Sequence, residues 1–239
     1  MAAILSIDTS GSSCSVALGI DEKQLIRRTN TPREHVRLVL PMVDELLGEA
    51  GIQLSGLDAI AFTHGPGSFT GLRIGFGVVQ GLAFGADLPV IALSSLQVMV
   101  QRAAGRQSLS NQCLMIPAID ARMGELYWGA YKISNGLASP LTSDALCPQQ
   151  ELALPLLDGT SDTAFIGIGD GWQYRPELRR GDEIITPSAI YEDIGPDAED
   201  ILPLAFAALQ EGRVSGIENI EPVYLRNTIS WKKRQRLRS

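Results

Sequence analysis

Two stretches of the chain repeat the order strand, aspartate, polar turn and strand, and this repeat constrains the fold more than any other feature. In the first stretch Asp8 ends an apolar run and a new strand begins at Cys14. In the second, 112 residues later, Asp120 ends an apolar run and a strand begins at Leu126. Repeated units predict a chain built from two similar halves, with a boundary in the polar stretch 106–111.

Within each half, short strand-like runs alternate with helical patterns, which predicts an α/β fold. We expect an N-terminal lobe over residues 1–107, a C-terminal lobe over 108–230 and a basic tail over 231–239. The predicted strands of the first lobe cover residues 3–7, 14–19, 24–29, 57–63 and 89–93. Its predicted helices begin at Thr31, Leu72 and Ser94. The second lobe is predicted to contain strands at 113–119, 125–133 and 164–168, and a helix at 197–210.

Charge is divided unevenly along the chain. The 239 residues carry 27 acidic and 20 basic side chains, a net charge of −7. Five of the basic residues lie in the last nine positions, so the rest of the chain has a net charge of −12. Such a body should repel nucleic acid, whose phosphates bind clustered Lys and Arg. Only the tail has the charge for that contact, through Lys232, Lys233, Arg234, Arg236 and Arg238.

Cysteine usage and the N-terminus both suggest the cytoplasm. The three cysteines, Cys14, Cys113 and Cys147, have no metal-binding spacing and no even pairing. The first ten residues do not resemble a signal peptide. No apolar run approaches the ~20 residues of a membrane helix. We therefore expect a soluble, reduced, cytoplasmic protein with no metal site.

A glycine-rich turn, residues 64–71, connects a predicted strand to a predicted helix. This arrangement presents backbone N–H groups and a helix N-terminus to an anion, and Arg73 would add a positive charge. It matches neither the P-loop nor the dinucleotide-binding pattern. A tight turn without a ligand fits these residues equally well. If a phosphate binds, its candidate ligands are Asp8, Gly65, Gly67, Ser68, Thr70 and Asp120.

The two aspartates of the repeat have two interpretations. Each stands at a strand end before a polar turn, where it could hold a metal–phosphate. More often such an aspartate caps its own turn through hydrogen bonds to the backbone.

The helix after the turn is rich in glycine, at a cost of ~1 kcal/mol for each interior glycine relative to alanine. Gly71 and Gly75 share one face, and Gly77, Gly81 and Gly85 another, because each set is spaced by four. Small residues at this spacing allow a second backbone to approach closely. Contact with another helix, in this chain or in another protein, would justify the cost.

Residues 65–75, Gly-Pro-Gly-Ser-Phe-Thr-Gly-Leu-Arg-Ile-Gly, resemble the signature of the TsaB (YeaZ) family, which is needed for threonylcarbamoyl modification of adenosine beside the tRNA anticodon. The segments 7–10, 120–127 and 221–226 also fit that family. The resemblance spans nearly the whole chain. It implies the duplicated actin, Hsp70 and sugar-kinase-like (ASKHA) fold, with two similar lobes.

The resemblance extends to a catalytic relative, TsaD, in which two histidines bind a metal. The corresponding positions here hold Ser95 and Met99, neither of which replaces imidazole as a ligand. The resemblance therefore implies a non-catalytic subunit that pairs with TsaD and helps to recruit the ATPase TsaE. A homodimer is a further expectation, as is ATP or ADP bound only in the complex. tRNA would be contacted indirectly or through the tail.

The expected partner interface lies on the helices of the N-terminal lobe that begin at Thr31 and near Gly71. Its candidate residues are Leu38, Met42, Gly71, Arg73, Gly75, Val78, Gly81 and Gly85. Two alternatives stay open. One is a small-molecule phosphotransferase that uses Asp8, the glycine-rich turn and Asp120, and the other is a metallopeptidase-like protein.

Overall fold

A computed structural model of the chain describes residues 2–21, 23–29, 35–107, 113–153, 165–180 and 182–226. Its first sheet has five strands in the order β3-β2-β1-β4-β5. β1 and β2 are antiparallel, as are β2 and β3, whereas β4 runs parallel to β1 and β5 parallel to β4. These strands are β1 (Ala3–Asp8), β2 (Cys14–Ile20), β3 (Lys23–Thr29), β4 (Ala59–Gly65) and β5 (Val90–Ser94).

Helices cover both faces of this sheet, which explains why its central strands are unbroken apolar runs. On one face, Leu5 and Ile7 of β1 pack with the first two helices. On the other face, Ile4 packs with the last two helices. The α-helices of the described residues are α1 (His35–Ala50), α2 (Phe69–Ala86), α3 (Ser95–Gln107) and α4 (Ala198–Gln210).

The second sheet repeats the pattern of the first. β6 pairs antiparallel with β7 and parallel with β12, as β1 pairs with β2 and β4. The duplicated α/β fold predicted from the repeat is therefore confirmed. The strands of this sheet are β6 (Leu114–Arg122), β7 (Glu125–Trp128), β8 (Tyr131–Ser134), β9 (Leu137–Pro140), β10 (Ala145–Pro148), β12 (Phe165–Ile168) and β15 (Ala189–Tyr191). A small third sheet holds β11 (Glu151–Ala153), β13 (Glu177–Arg180) and β14 (Glu183–Ile185).

The chain passes from the first sheet to the second near residue 107, but elements from the two halves pack against each other. α4, late in the chain, lies against β1 and β2 of the first sheet. The Ser6 hydroxyl of β1 donates to the Ala198 carbonyl at 2.7 Å, and Arg28 of β3 forms an ion pair with Asp197, the N-cap of α4, at 2.7 Å. α3 and α4 thus tie the two sheets together.

Several predicted boundaries differ from the structure. The strand predicted at 125–133 is two strands, β7 and β8, separated at Gly129, where a Cβ would lie 2.9 Å from the Tyr131 ring. α2 begins three residues earlier than predicted, because Ser68 caps it. The predicted start of the first helix at Thr31 and the tail lie outside the described residues. Of the predicted boundary stretch 106–111, Arg106 and Gln107 are described, and they belong to α3 rather than to a linker.

Candidate functional site

The glycine-rich turn between β4 and α2 is closed by hydrogen bonds to neighbouring residues. The Gly65–Pro66 peptide is cis, and the Ser68 hydroxyl accepts a hydrogen bond from the Gly71 N–H at 3.2 Å. The Ser68 N–H donates to the Ser10 carbonyl at 2.8 Å. Two amides that could have bound a phosphate are therefore already paired within the chain.

Three glycines of this segment make room for the turn after β1. A Cβ at Gly67 would lie 2.5 Å from the Ser10 carbonyl oxygen, and Cβ atoms at Gly71 and Gly75 would overlap oxygen atoms of Thr9. The Thr9 hydroxyl donates to the Gly71 carbonyl at 2.7 Å. Gly71 and Gly75 thus face the inside of this chain, so they contribute no surface to a partner.

Asp8 lies buried at the end of β1. Its Oδ1 accepts hydrogen bonds from the Ser10 hydroxyl at 2.6 Å, the Thr63 hydroxyl at 2.5 Å and the Ser10 N–H at 3.2 Å. Its Oδ2 has no partner among the described residues. Burial raises the pKa of the Asp8 carboxyl, against the opposing effect of these hydrogen bonds. Asp8 therefore caps the turn that follows β1 through these hydrogen bonds.

Asp120, its counterpart at the end of the second lobe's first strand, is also engaged. Oδ1 accepts from the Arg122 N–H at 2.8 Å, and Oδ2 accepts from the Tyr174 hydroxyl at 2.9 Å. The Arg122 guanidinium lies 2.9 Å from Oδ2. The carboxylate therefore has backbone, phenol and guanidinium partners of its own.

A cleft of about 290 Å³ lies between the turn after β1 and the second sheet. Ser10 and Met99 line one side of it, and Asp170, Glu192 and Asp193 bring three carboxyl groups. None of the described residues that line it is Lys or Arg. The cleft is thus poorly matched to a polyphosphate, which needs positive charge or N–H donors.

Ser95 and Met99, which the resemblance to TsaD matched to metal-binding histidines, lie in the first turns of α3. Ser95 and Met99 are both buried, and the Ser95 hydroxyl has no partner among the described residues. No group of three or more His, Cys, Asp or Glu side chains suited to a metal occurs in the part of the chain that the structure describes.

One face of α2 is open. A Cβ at Gly77, Gly81 or Gly85 would meet nothing within 4 Å, and Phe84 beside them is 84 % exposed. We call these four residues the open face of α2. Within the described residues, α2 alone has the length and apolar composition of a membrane-spanning helix, yet only 28 % of it is buried. The sequence spacing indicated the glycines but not Phe84.

The other candidate interface residues are less accessible. Val78 and Leu38 are half-buried, and Met42 of α1 is buried in the core of the first lobe. Leu40 of α1, which the sequence analysis did not single out, is 50 % exposed. α1 therefore offers Leu40 and part of Leu38, rather than Met42, to a partner.

The first turn of α2 carries an exposed cluster that sequence spacing could not reveal. The Phe69 and Tyr224 ring centroids are 5.3 Å apart, and the Arg73 guanidinium carbon lies 3.9 Å from the Phe69 centroid. Arg73 Nε donates to the Tyr224 hydroxyl at 3.2 Å. Thr70 is exposed on the same turn. Because Tyr224 is 151 residues away in sequence from Arg73, only the fold brings them together.

The segment that carries Tyr224 joins the two halves of the repeat. The Val223 N–H donates to the His64 carbonyl at 2.8 Å, at the end of β4. Three residues later, Arg226 donates to the Ala121 carbonyl at 3.1 Å and pairs with Glu125. Burial lowers the pKa of His64 beside this segment. Residues 223–226 therefore fix the turn before α2 against the turn between β6 and β7.

Comparison with known proteins agrees with this architecture. A family model described as TsaD, tRNA N6-adenosine threonylcarbamoyltransferase, matches residues 27–174. The tRNA threonylcarbamoyladenosine biosynthesis protein TsaB of Escherichia coli K12 is 40% identical over 231 residues, which cover 96% of this chain and 97% of that protein. This chain belongs to the TsaB family.

Further relatives support membership of the TsaB family along the whole chain. The TsaB of Haemophilus influenzae is 38% identical and is aligned over 96% of each chain. The solved structure of YeaZ from Pseudomonas aeruginosa is 41% identical, with a TM-score of 0.85 and coverage of 94% of this chain and 100% of that one. The TsaB family fold thus extends over both halves of the repeat.

Proposed function

We propose that this chain is a non-catalytic subunit for threonylcarbamoyl modification of tRNA, and that it binds and supports a TsaD-type catalytic subunit. The observation that carries the proposal is the open face of α2. Only five of the 18 residues of this apolar helix are buried, so it exposes surface that a protein partner would cover. The names of the TsaB and TsaD relatives supply the reaction and the partner.

The first turns of α3 support a non-catalytic role. Ser95 and Met99 occupy the positions where a catalytic relative would have metal-binding histidines, and both are buried. The turn after β4 supports it too, because two of its amides are already paired: the Gly71 N–H donates to the Ser68 hydroxyl and the Ser68 N–H to the Ser10 carbonyl. Asp8 and Asp120 each accept hydrogen bonds within their own turns, which favours a turn-capping role for both over phosphotransfer.

The interface that we propose consists of the open face of α2 with Val78, Leu38 and Leu40. Gly77, Gly81 and Gly85 allow a partner helix to approach the α2 backbone, and Phe84 would insert into the partner as an aromatic anchor. The same face would serve a homodimer. Homodimer and TsaD complex are therefore competing states of one surface.

The remaining partners follow from this arrangement. The acidic cleft is poorly suited to hold ATP or ADP alone, so a nucleotide would bind only where TsaD supplies positive charge. The ATPase TsaE would be recruited to the assembled pair. We place the complex in the cytoplasm. The five basic residues at positions 232–238 would contact tRNA within it.

Depletion of the chain from cells tests the proposed function. We expect mass spectrometry of digested tRNA to show loss of threonylcarbamoyladenosine, and restoration by this chain only when TsaD is also present. A purified TsaD that modifies tRNA at full rate without this chain would contradict the proposal. ATP hydrolysis or peptidase activity by the isolated chain would favour one of the two enzymatic alternatives instead.

A further inference from the structure

The exposed cluster at the first turn of α2 has the composition of a ligand-binding surface that the proposed partner interface does not include. It consists of Phe69, Arg73 and Tyr224, and we call it the aromatic–arginine patch. Phe69 is 49 % exposed and Tyr224 is 40 % exposed. The side chain of Arg73 is exposed as well, although its guanidinium stacks on Phe69. The three side chains fix one another on the surface.

Arg73 differs from the paired arginines of this acidic chain. Arg27, Arg28 and Arg226 each form an ion pair with a carboxylate. Within the residues that the structure describes, Arg73 has no carboxylate partner and donates only through Nε, to the Tyr224 hydroxyl. Among the described residues, no protein atom accepts a hydrogen bond from the Nη atoms of Arg73. A guanidinium held rigid by stacking, with free donors at its outer edge, fits a phosphate oxygen.

The two aromatic rings, Phe69 and Tyr224, supply the surface against which a base would stack. Their centroids are 5.3 Å apart at an interplanar angle of 47°, so the rings do not cover each other. With Phe69 49 % and Tyr224 40 % exposed, each ring retains exposed surface, on Phe69 away from the Arg73 guanidinium. Exposed aromatic faces beside a guanidinium are the means by which proteins bind single-stranded RNA, whose unpaired bases stack while the backbone pairs with cations.

We infer that the aromatic–arginine patch binds an unpaired loop of RNA, with Arg73 on a phosphate and Phe69 and Tyr224 against a base. This inference rests on the proposed function, in which the complex works on tRNA. It explains how a body of net charge −12 contacts RNA: the contact is local and depends on stacking as well as charge.

The patch borders the open face of α2. Arg73 lies one helical turn, about 6 Å, before Gly77 on the same side of the helix, whereas Phe69 and Phe84 are about 22 Å apart along the helix axis. RNA at the patch and a protein at the open face would therefore be neighbours on α2. The chain also continues past the patch into basic sequence. Tyr224 is followed closely by residues 227–239, which contain five basic and no acidic side chains.

Binding of a fluorescein-labelled RNA stem-loop to the full chain in complex with TsaD tests this inference. The matching blunt duplex, measured by the same fluorescence anisotropy over a range of salt concentrations, reports any contact that needs no loop. We expect Arg73→Ala to lower affinity for the stem-loop about tenfold and to reduce the salt slope by about 0.7. Arg73→Lys, which keeps the charge and loses the planar fork, should retain the slope with weaker binding.

The aromatic variants have a different expected signature. Phe69→Leu and Tyr224→Leu should each lower affinity for the stem-loop about fivefold or more without changing the salt slope, since they remove stacking and no charge. Lys132→Ala, which removes an exposed charge from β8, is the control and should leave both quantities unchanged. Affinity of all variants for the blunt duplex should stay close to that of the wild type.

Two outcomes would overturn the inference. One is that Arg73→Ala and Phe69→Leu bind the stem-loop with the same affinity and the same salt slope as the wild type. The other is loss of TsaD from the complex in these variants, with RNA affinity of the variant chains unchanged, which would make the patch part of the TsaD interface. Neither result would contradict the proposed function, because in both the wild-type chain still binds TsaD. Failure to bind TsaD in the wild type would instead contradict the proposed function itself.

Discussion

Asp8 is the last residue of β1 and Asp120 lies two residues before the end of the equivalent strand β6, and each accepts a hydrogen bond from the backbone N–H two residues further on. Their remaining partners differ. Asp8 accepts from the buried hydroxyls of Ser10 and Thr63, whereas Asp120 accepts from the half-exposed Tyr174. The repeat thus preserves the turn cap in both halves and changes its surroundings.

Because of this difference, we expect removal of the two carboxylates to lower the free energy of unfolding by unequal amounts. Asp8→Ala would leave the donors on Ser10 and Thr63 unpaired inside the protein, so we expect it to lower the free energy of unfolding by about 2–4 kcal/mol. Asp120→Ala should cost less, about 1 kcal/mol, because Arg122 and Tyr174 can turn to water. Urea denaturation followed by circular dichroism measures both. Equal losses in the two variants would contradict the assignment.

The glycines of α2 should divide into two classes. A Cβ at Gly75 would overlap the Thr9 hydroxyl, and we expect Gly75→Ala to destabilise the fold by about 1–3 kcal/mol. Gly77 lies two residues further on with open space around it, so Gly77→Ala should stabilise the helix by up to about 1 kcal/mol. Thermal unfolding of the two variants provides the comparison. A stabilised Gly75→Ala protein would show that α2 does not pack on Thr9 as described.

These results show what the sequence could and could not predict. Periodicity and the repeat were sufficient for the α/β halves, because apolar runs and turns are local signals. The two roles of the α2 glycines were not separable, since Gly71 and Gly81 look alike until Thr9 is placed beside one of them. The aromatic–arginine patch depends on Tyr224, which only the folded chain brings to α2. Short strands such as β9 and β14 were missed for a different reason: each pairs with the strand directly before it, but at four and three residues they are too short to show a hydrophobic period.

The stability of the chain should depend on pH through Asp200, in the first turn of α4. Burial raises the pKa of its carboxyl to about 7, despite the opposing charge of Arg102 at 3.5 Å. The ordinary value is 3.8, so the folded state holds the proton more tightly than the unfolded chain. This contribution to stability is fully present below about pH 4 and is lost as the pH rises through about 7.

Asp200→Asn tests this dependence. The carboxyl faces Arg102 and Arg106 of α3, and its neighbours on α4 are Asp197 and Glu199. Between about pH 5 and pH 8, the free energy of unfolding of the wild type should fall with rising pH. We expect this fall to be smaller in the variant by about 1–3 kcal/mol. Urea titrations at several pH values give these quantities. Parallel pH profiles for the two proteins would show that the carboxyl does not titrate in this range.

Co-purification of the chain with TsaD after substitution of Gly81 tests the central claim most directly. Gly81 and Gly105 are both helical glycines whose added Cβ would meet nothing within 4 Å, so Gly81→Trp and Gly105→Trp should both fold. We predict that TsaD is captured by the wild type and by Gly105→Trp and is lost from Gly81→Trp, whose indole prevents close approach to the open face of α2. Undiminished capture of TsaD by a folded Gly81→Trp protein would contradict the account.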